Sequence, residues 1–440
     1  MKTKLLTVRK VGRVTPCAPL SRFACFFGAQ RSARPTCLVL LTAVAMFTHA
    51  AFAGKSPSPP PPQQPASGTV VLNLPGANSW GLAAAPSGMI YALGNSWDGS
   101  AETPGRQLVL ASSDSGSSWS LLDDYAPPGQ FVDFWFGLGG LGGGIASDSV
   151  GNLYVSSFTY DDASYDRAGW YVRRSTDGGL NWATVADFAV APVSSSADAV
   201  AVATDGAGDV YVAACDIYWL NSVSHQDWTI RKGIGGTSFS TIEVLPNSFP
   251  KDIFVHPTAG VFVVGNTQVT QKGGTVNVWL VRRSTDAGAS WSTVDTFQLA
   301  SGYDSVAMGV AANSTGIYVV GSASASIKSG APSHWIVRKS TNGGSSWTTV
   351  DNYQLAADNP TQAQCIATDA NGNLIVAGFS RGDWTGQLYL SHWIVRKSAG
   401  STGPWTTVDV FQNAGRANAI AADALGNVFV GGGGWLIKRY

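Results

Sequence analysis

The sequence is poor in charge and nearly devoid of glutamate. Only 13% of its 440 residues are charged, and just two, Glu102 and Glu243, are glutamate. Lysine is scarce too, which argues against a surface of Glu/Lys-rich helices. Cysteine is thin. Cys17, Cys25 and Cys37 lie in the leader, so only Cys215 and Cys365 remain beyond it and a disulfide framework is excluded. These two fall in repeat units three apart, too far to bridge. His225, His256, His334 and His392 are scattered without ligand spacing, and no metal is expected. The Asp-x-x-Gly turns described below lack the twelfth-position Glu of an EF-hand loop. No Gly-rich phosphate loop runs from a strand into a helix, and no cofactor is expected.

The net charge of zero hides an asymmetry. Residues 1–53 hold eight basic residues and no acid, so the remainder has 20 basic against 28 acidic residues, a net charge of −8. That balance argues against nucleic acid or an anionic membrane as partner. Residues 37–53, CLVLLTAVAMFTHAAFA, end in Ala51-Phe52-Ala53. A basic lead, a short apolar core and a small-x-small end form a signal peptide, too short and interrupted to span a bilayer. Residues 54–68, dense in proline, read as an extended linker. The chain is expected to be exported to the periplasm, cell surface or extracellular space. Residues 69–440 should form one monomeric domain without membrane insertion.

What the sequence has is glycine (51), tryptophan (16) and a repeat. Half of the repeat is a small/apolar run, Asp-x-x-Gly-Asn, and an apolar strand. IASDSVGNLYVSS (145–157), VATDGAGDVYVAA (202–214), IATDANGNLIVAG (366–378) and IAADALGNVFVGG (420–432) show it clearly. Looser copies at 82–94, 255–265 and 310–321 bring the total to seven. Each reads as a hairpin, with Gly at positive φ and Asp bonding back to the turn. The other half begins Trp-x-apolar-Arg, at Trp170, Trp228, Trp279, Trp335, Trp393 and Trp435, with an earlier copy near Gln107. Four strands in fifty-odd residues make a propeller blade.

The turn in the second half reads Ser-x-Asp-x-Gly-x-x-Trp. It supplies Asp114 and Trp119, Asp177 and Trp182, Asp286 and Trp291, and Asn342 and Trp347, with eroded copies at 232–239 and 398–405. On these motifs the chain resembles Asp-box (BNR-type) β-propellers, the group that includes sialidases, certain xyloglucan-cleaving hydrolases and sortilin-like receptors. The Asp-x-x-Gly-Asn-x-Tyr-Val-x-Gly half is similar to bacterial propeller repeats. The resemblance implies an all-β, seven-bladed propeller of four-stranded antiparallel blades. The last blade lacks its fourth strand, and TVVLNL (69–74) is unassigned, so the N-terminal strand is expected to complete it and close the ring.

A feature present in every blade cannot mark one unique site. The turn Asp, Asn and Trp residues are therefore read as structural. So are Arg173, Arg231, Arg282, Arg338, Arg396 and Lys438, expected to form cross-strand pairs with acids such as Glu243, Asp295, Asp351 and Asp409. Symmetry breaks on the opposite face. Its loops, at 95–106, 124–140, 158–169, 216–227 and 379–392, supply the ligand-binding candidates Trp97, Asp98, Trp135, Tyr165, Trp219, His225, Asp227, Trp384 and His392. Aromatic faces beside carboxylates suit sugars, and the same aromatics would equally plug the funnel. Hydrolysis would need two carboxylates, for which Asp161, Asp162, Asp166 and Asp383 are the candidates. The sialidase resemblance implies an early arginine, yet residues 54–105 contain none. The xyloglucan-cleaving group places its cleft between two propellers, and this chain has one. The sequence thus favours a binding or scaffold module for a glycan or extracellular protein, with a divergent glycoside hydrolase as the alternative.

Overall fold

The computed structural model describes residues 68–440 apart from 74–76, 97–105, 127–142, 161–167, 190–193, 221–222, 272–273, 326–331, 358, 385–388, 399–402, 413 and 434. Among the described residues every regular element is a strand, arranged in seven four-stranded antiparallel sheets. Blades 1 to 6 occupy residues 77–125, 144–189, 194–246, 248–297, 305–353 and 361–411, each a meander of strands A to D. Blade 7 takes strands A to C from Ala417–Ala422, Val428–Gly432 and Leu436–Arg439. Its strand D is the N-terminal Thr69–Leu72, with Thr69 opposite Arg439 and Val70 opposite Lys438. The innermost strands touch in ring order, blade 7 meeting blade 1. The expected closure is therefore present, the described strand ending at Leu72 and Leu74 lying outside the described residues.

The core lies between blades. The strand C tryptophans Trp170, Trp228, Trp279, Trp335, Trp393 and Trp435 are fully buried. Trp279, Trp335 and Trp393 lie against Gly321, Gly378 and Gly432 on strand B of the following blade. A Cβ at Gly321 would sit 2.0 Å from the Val306 carbonyl oxygen and 2.7 Å from the Trp279 ring, so only glycine fits.

The C–D turns are built alike. The carboxylates of Asp114, Asp177 and Asp286 accept the backbone N–H four residues on, at 2.8, 2.9 and 2.8 Å. Ser112, Ser175 and Ser284 each donate to that carboxylate and accept the N–H of the turn glycine. Asn342 substitutes with the same geometry, accepting from Ser346 at 2.9 Å. Trp119, Trp182 and Trp347 donate their indole N–H to the carbonyl of Gly116, Gly179 and Gly344. The Asp and Asn contacts are local and recur in all four turns. Cys215 and Cys365 are not joined in a disulfide.

The strand C cations correct the sequence reading. They do not pair within their own sheet. Arg338 forks onto Asp295 of the preceding blade at 2.7 and 2.9 Å, and Arg396 onto Asp351 at 2.9 and 3.0 Å. Arg173 pairs with Asp123, Arg282 with Glu243, and Lys438 with Asp409, each one blade back. Asp295, Asp351 and Asp409 each stand opposite the residue before their own sheet's cation, and their side chains turn to the next blade. Two seams differ. Blade 2 carries Ala186 at the acid position, so Arg231 lies over Phe188, 3.9 Å from the ring centroid. At the closing seam the two positions are Leu72 and Leu110, which share one apolar cluster.

Candidate functional site

Strand A carries one extra residue at the same place in six blades. The register slips at Trp80, Val200, Lys251, Met308, Gln364 and Asn418. A bulge of this kind re-aims a side chain out of the regular pleat. Trp80, Lys251, Met308, Gln364 and Asn418 line a narrow axial channel of about 160 Å³. Above it, on the face of the B–C and D–A connections, opens a funnel of about 680 Å³ that shares Lys251, Met308 and Gln364 with the channel.

Much of the funnel wall in blades 4 to 7 comes from three repeat positions. Two residues before the bulge stand Phe249, Val306, Gln362 and Arg416. The bulge supplies Lys251, Met308 and Gln364, and the upper end of strand B supplies Gln268, Ser324 and Arg381. Equivalent backbone thus presents a different side chain in each blade, which is how a symmetric scaffold makes an asymmetric site.

The wall is mostly amide and hydroxyl. Gln268 donates to Gln226 at 3.3 Å, and Asn266 to Asn277 at 2.8 Å. Asp304 is the one carboxylate among the described lining residues, and it accepts the backbone and side-chain N–H of Asn277 at 2.8 and 3.2 Å. Three cations, Lys251, Arg381 and Arg416, line the same space. The Arg416 guanidinium lies 4.5 Å over the Phe379 ring.

Asp252 faces the channel. Its carboxylate accepts N–H bonds from Ile253 at 2.8 Å and from Val310 of the next blade at 2.9 Å. Burial outweighs both bonds and pushes its pKa up to about 7. The Cys365 thiol lines the same channel and is pushed up, first by burial and then by the Asp252 charge.

The hairpins reach further than the sequence reading allowed. Blade 3 has strands Val210–Leu220 and Val223–Ile234, and blade 6 has Leu374–Trp384 and Tyr389–Ser398. Trp219, His225, Asp227, Asp383, Trp384 and His392 therefore sit on strands, not in loops. Aromatic and β-branched residues in both arms sustain the ladder almost to the hairpin tips. Asp227 accepts from Tyr218 at 2.9 Å, and that ring stacks on His225 with centroids 5.2 Å apart. Asp216, opposite Asp227, accepts from Trp170 of blade 2 at 3.3 Å, so this cluster faces blade 2. His225, Asp227 and His392 are not among the funnel-lining residues, whereas Gln226, between the first two, is. Trp97, Asp98, Trp135, Asp161, Asp162, Tyr165 and Asp166 lie outside the described residues. Only the backbone of Trp219, Asp383 and Trp384 is described.

No family model matches the chain, and no curated protein does. Among solved structures, an α-L-arabinofuranosidase of Fusarium graminearum is 13% identical, covering 72% of this chain and 92% of its own, with a TM-score of 0.47. An α-L-arabinanase of Penicillium chrysogenum is 13% identical over 78% and 98%, with a TM-score of 0.44. The WD40 propeller domain of Doa1 is 12% identical over 85% and 96%, at 0.45. Nothing about ligand or reaction follows from likeness at this level.

The sequence reading missed Lys251, Asp304, Arg381, Arg416 and the glutamines. A signal was present. The inner strands read Ala-Met308-Gly-Val, Ala-Gln364-Cys-Ile and Ala-Asn418-Ala-Ile, where one position varies between small and apolar neighbours. A variable position inside a repeated buried strand marks a side chain released from packing.

Proposed function

We propose that the chain is an exported propeller that binds a glycan in the funnel, without turning it over. The supporting observation is a cavity of about 680 Å³ walled by carboxamides and hydroxyls, on the face where the blades differ. Sugar hydroxyls both donate and accept, and so do Asn and Gln side chains. Phe249 adds an apolar ring face within the wall. The volume falls within the range of small-ligand sites, roughly 300–1,000 Å³. On the turn face, the described Asp-box carboxylates are engaged in bonds that repeat from blade to blade.

Hydrolysis is the second reading. It is favoured by Asp252, whose pKa near 7 suits a general acid. Against it, Asp252 is the one carboxylate among the described residues lining the channel, so no second carboxylate faces it there. A hydrolase would draw its pair from Asp161, Asp162, Asp166 and Asp383. A glycan array combined with chromogenic glycosides separates the two. Saturable binding without turnover, weakened in Gln362→Ala and Gln364→Ala, is the expected result. Turnover abolished by one loop Asp→Asn would establish hydrolysis, and binding of no glycan would end both readings.

A further inference from the structure

We infer that the funnel takes a saccharide bearing a carboxylate, seated between Arg381 and Arg416. This rests on the glycan reading above and narrows it to one chemical class.

Three cations line the funnel against one acid among the described lining residues, and Asp304 is already engaged by Asn277. The two arginines are brought together by the fold. Phe379 and Arg381 are two residues apart on one strand and so share a face. Arg416, two residues before the bulge of blade 7, lays its guanidinium over the Phe379 ring. That stack fixes the guanidinium plane, leaves its N–H edge for a ligand, and places the group beside Arg381. Partial desolvation by the funnel wall lowers the Arg416 pKa, and the Arg381 charge lowers it further. A bound anion would relieve that repulsion. The planar fork of arginine matches a carboxylate in a two-bond geometry.

Neither arginine serves the repeat. The positions equivalent to Arg416 carry Phe249, Val306 and Gln362, and those equivalent to Arg381 carry Gln268 and Ser324. The seam cations Arg338 and Arg396, by contrast, recur at one position from blade to blade. Arg381 and Arg416 belong to the funnel.

The test is calorimetric titration of the purified exported protein with an oligogalacturonate, its methyl ester, and a sulfated neutral oligosaccharide. The free acid should bind at least about tenfold tighter than the ester, the increment of one charge-assisted bidentate contact. That preference should weaken with salt and vanish in Arg381→Gln and Arg416→Gln. Both residues are exposed, so the variants should melt with the parent, and the Lys variants should keep part of the preference. Equal binding of acid and ester, an undiminished preference in both Gln variants, or binding of the sulfated sugar in place of the acid would overturn the inference. Neutral glycans captured on the array with no acid preference would sink this inference and leave the broader reading intact. Failure to bind any glycan would remove both.

Discussion

Asp177 and Asp252 place the same carboxylate in opposite surroundings. Asp177 lies at an exposed turn tip, where N–H and O–H donors from Asn181 and Ser175 hold it at about pKa 2. A depressed pKa contributes stability that is present above the unfolded value and lost as pH falls through 2. Asn342 shows that a neutral acceptor serves the same turn. Asp286→Asn should therefore leave the thermal midpoint near that of the parent at pH 7, and Asp286→Ala should lower it. Equal midpoints for Ala and parent would show the turn bonds to be dispensable. Asp252 carries the reverse sign. Its pKa is raised from the ordinary 3.8 to about 7, so stability is greatest below the unfolded value and falls as pH rises through 7. Allowing for water in the channel, the loss should be on the order of 1–3 kcal/mol. Denaturant unfolding across pH 4 to 8 should show that decline in the parent and a flatter profile in Asp252→Asn. An identical slope in both would place the titration elsewhere.

Strand C cations and strand D acids form a belt that runs from blade to blade. The pairs are nearly buried, with 11% and 7% side-chain exposure for Arg338 and Asp295. Burial raises Asp351 even though Arg396 opposes the shift, so desolvation outweighs much of the attraction. Removing one partner leaves a stranded charge, and Asp295→Ala should cost about 3–5 kcal/mol. The closing seam already uses Leu72 and Leu110 at these positions. The double variant Asp295→Leu/Arg338→Leu should therefore lie within about 1–2 kcal/mol of the parent in chemical unfolding. A double variant as unstable as Asp295→Ala would mean that the belt adds stability beyond its packing. The sequence made these cations and acids visible, because each recurs at a fixed distance from a tryptophan. It did not reveal the partner, because pairs such as Arg338 with Asp295 span 43 residues and cross a blade boundary. The turns were readable for the opposite reason, since all their bonds fall within a few residues.

At the scale of the molecule, closure was legible from simple accounting, a strand without a sheet at one end and a sheet without a strand at the other. The site was far less so. Loop composition pointed at aromatics near the hairpin tips, while much of the described wall comes from three framework positions on strands A and B. A bulge leaves no composition signature of its own, and its one trace is a variable residue between small and apolar neighbours, as at Gln364. The resulting division of labour places repeated carboxylate turns on one face and non-repeated side chains on the other. Hydrogen–deuterium exchange, with and without the best-binding oligosaccharide, tests that division directly. Protection should concentrate in peptides covering residues 249–252, 304–308, 360–364 and 381–384, and around Arg416. Protection confined to the turns at 112–119, 175–182, 284–291 and 340–347 would contradict it.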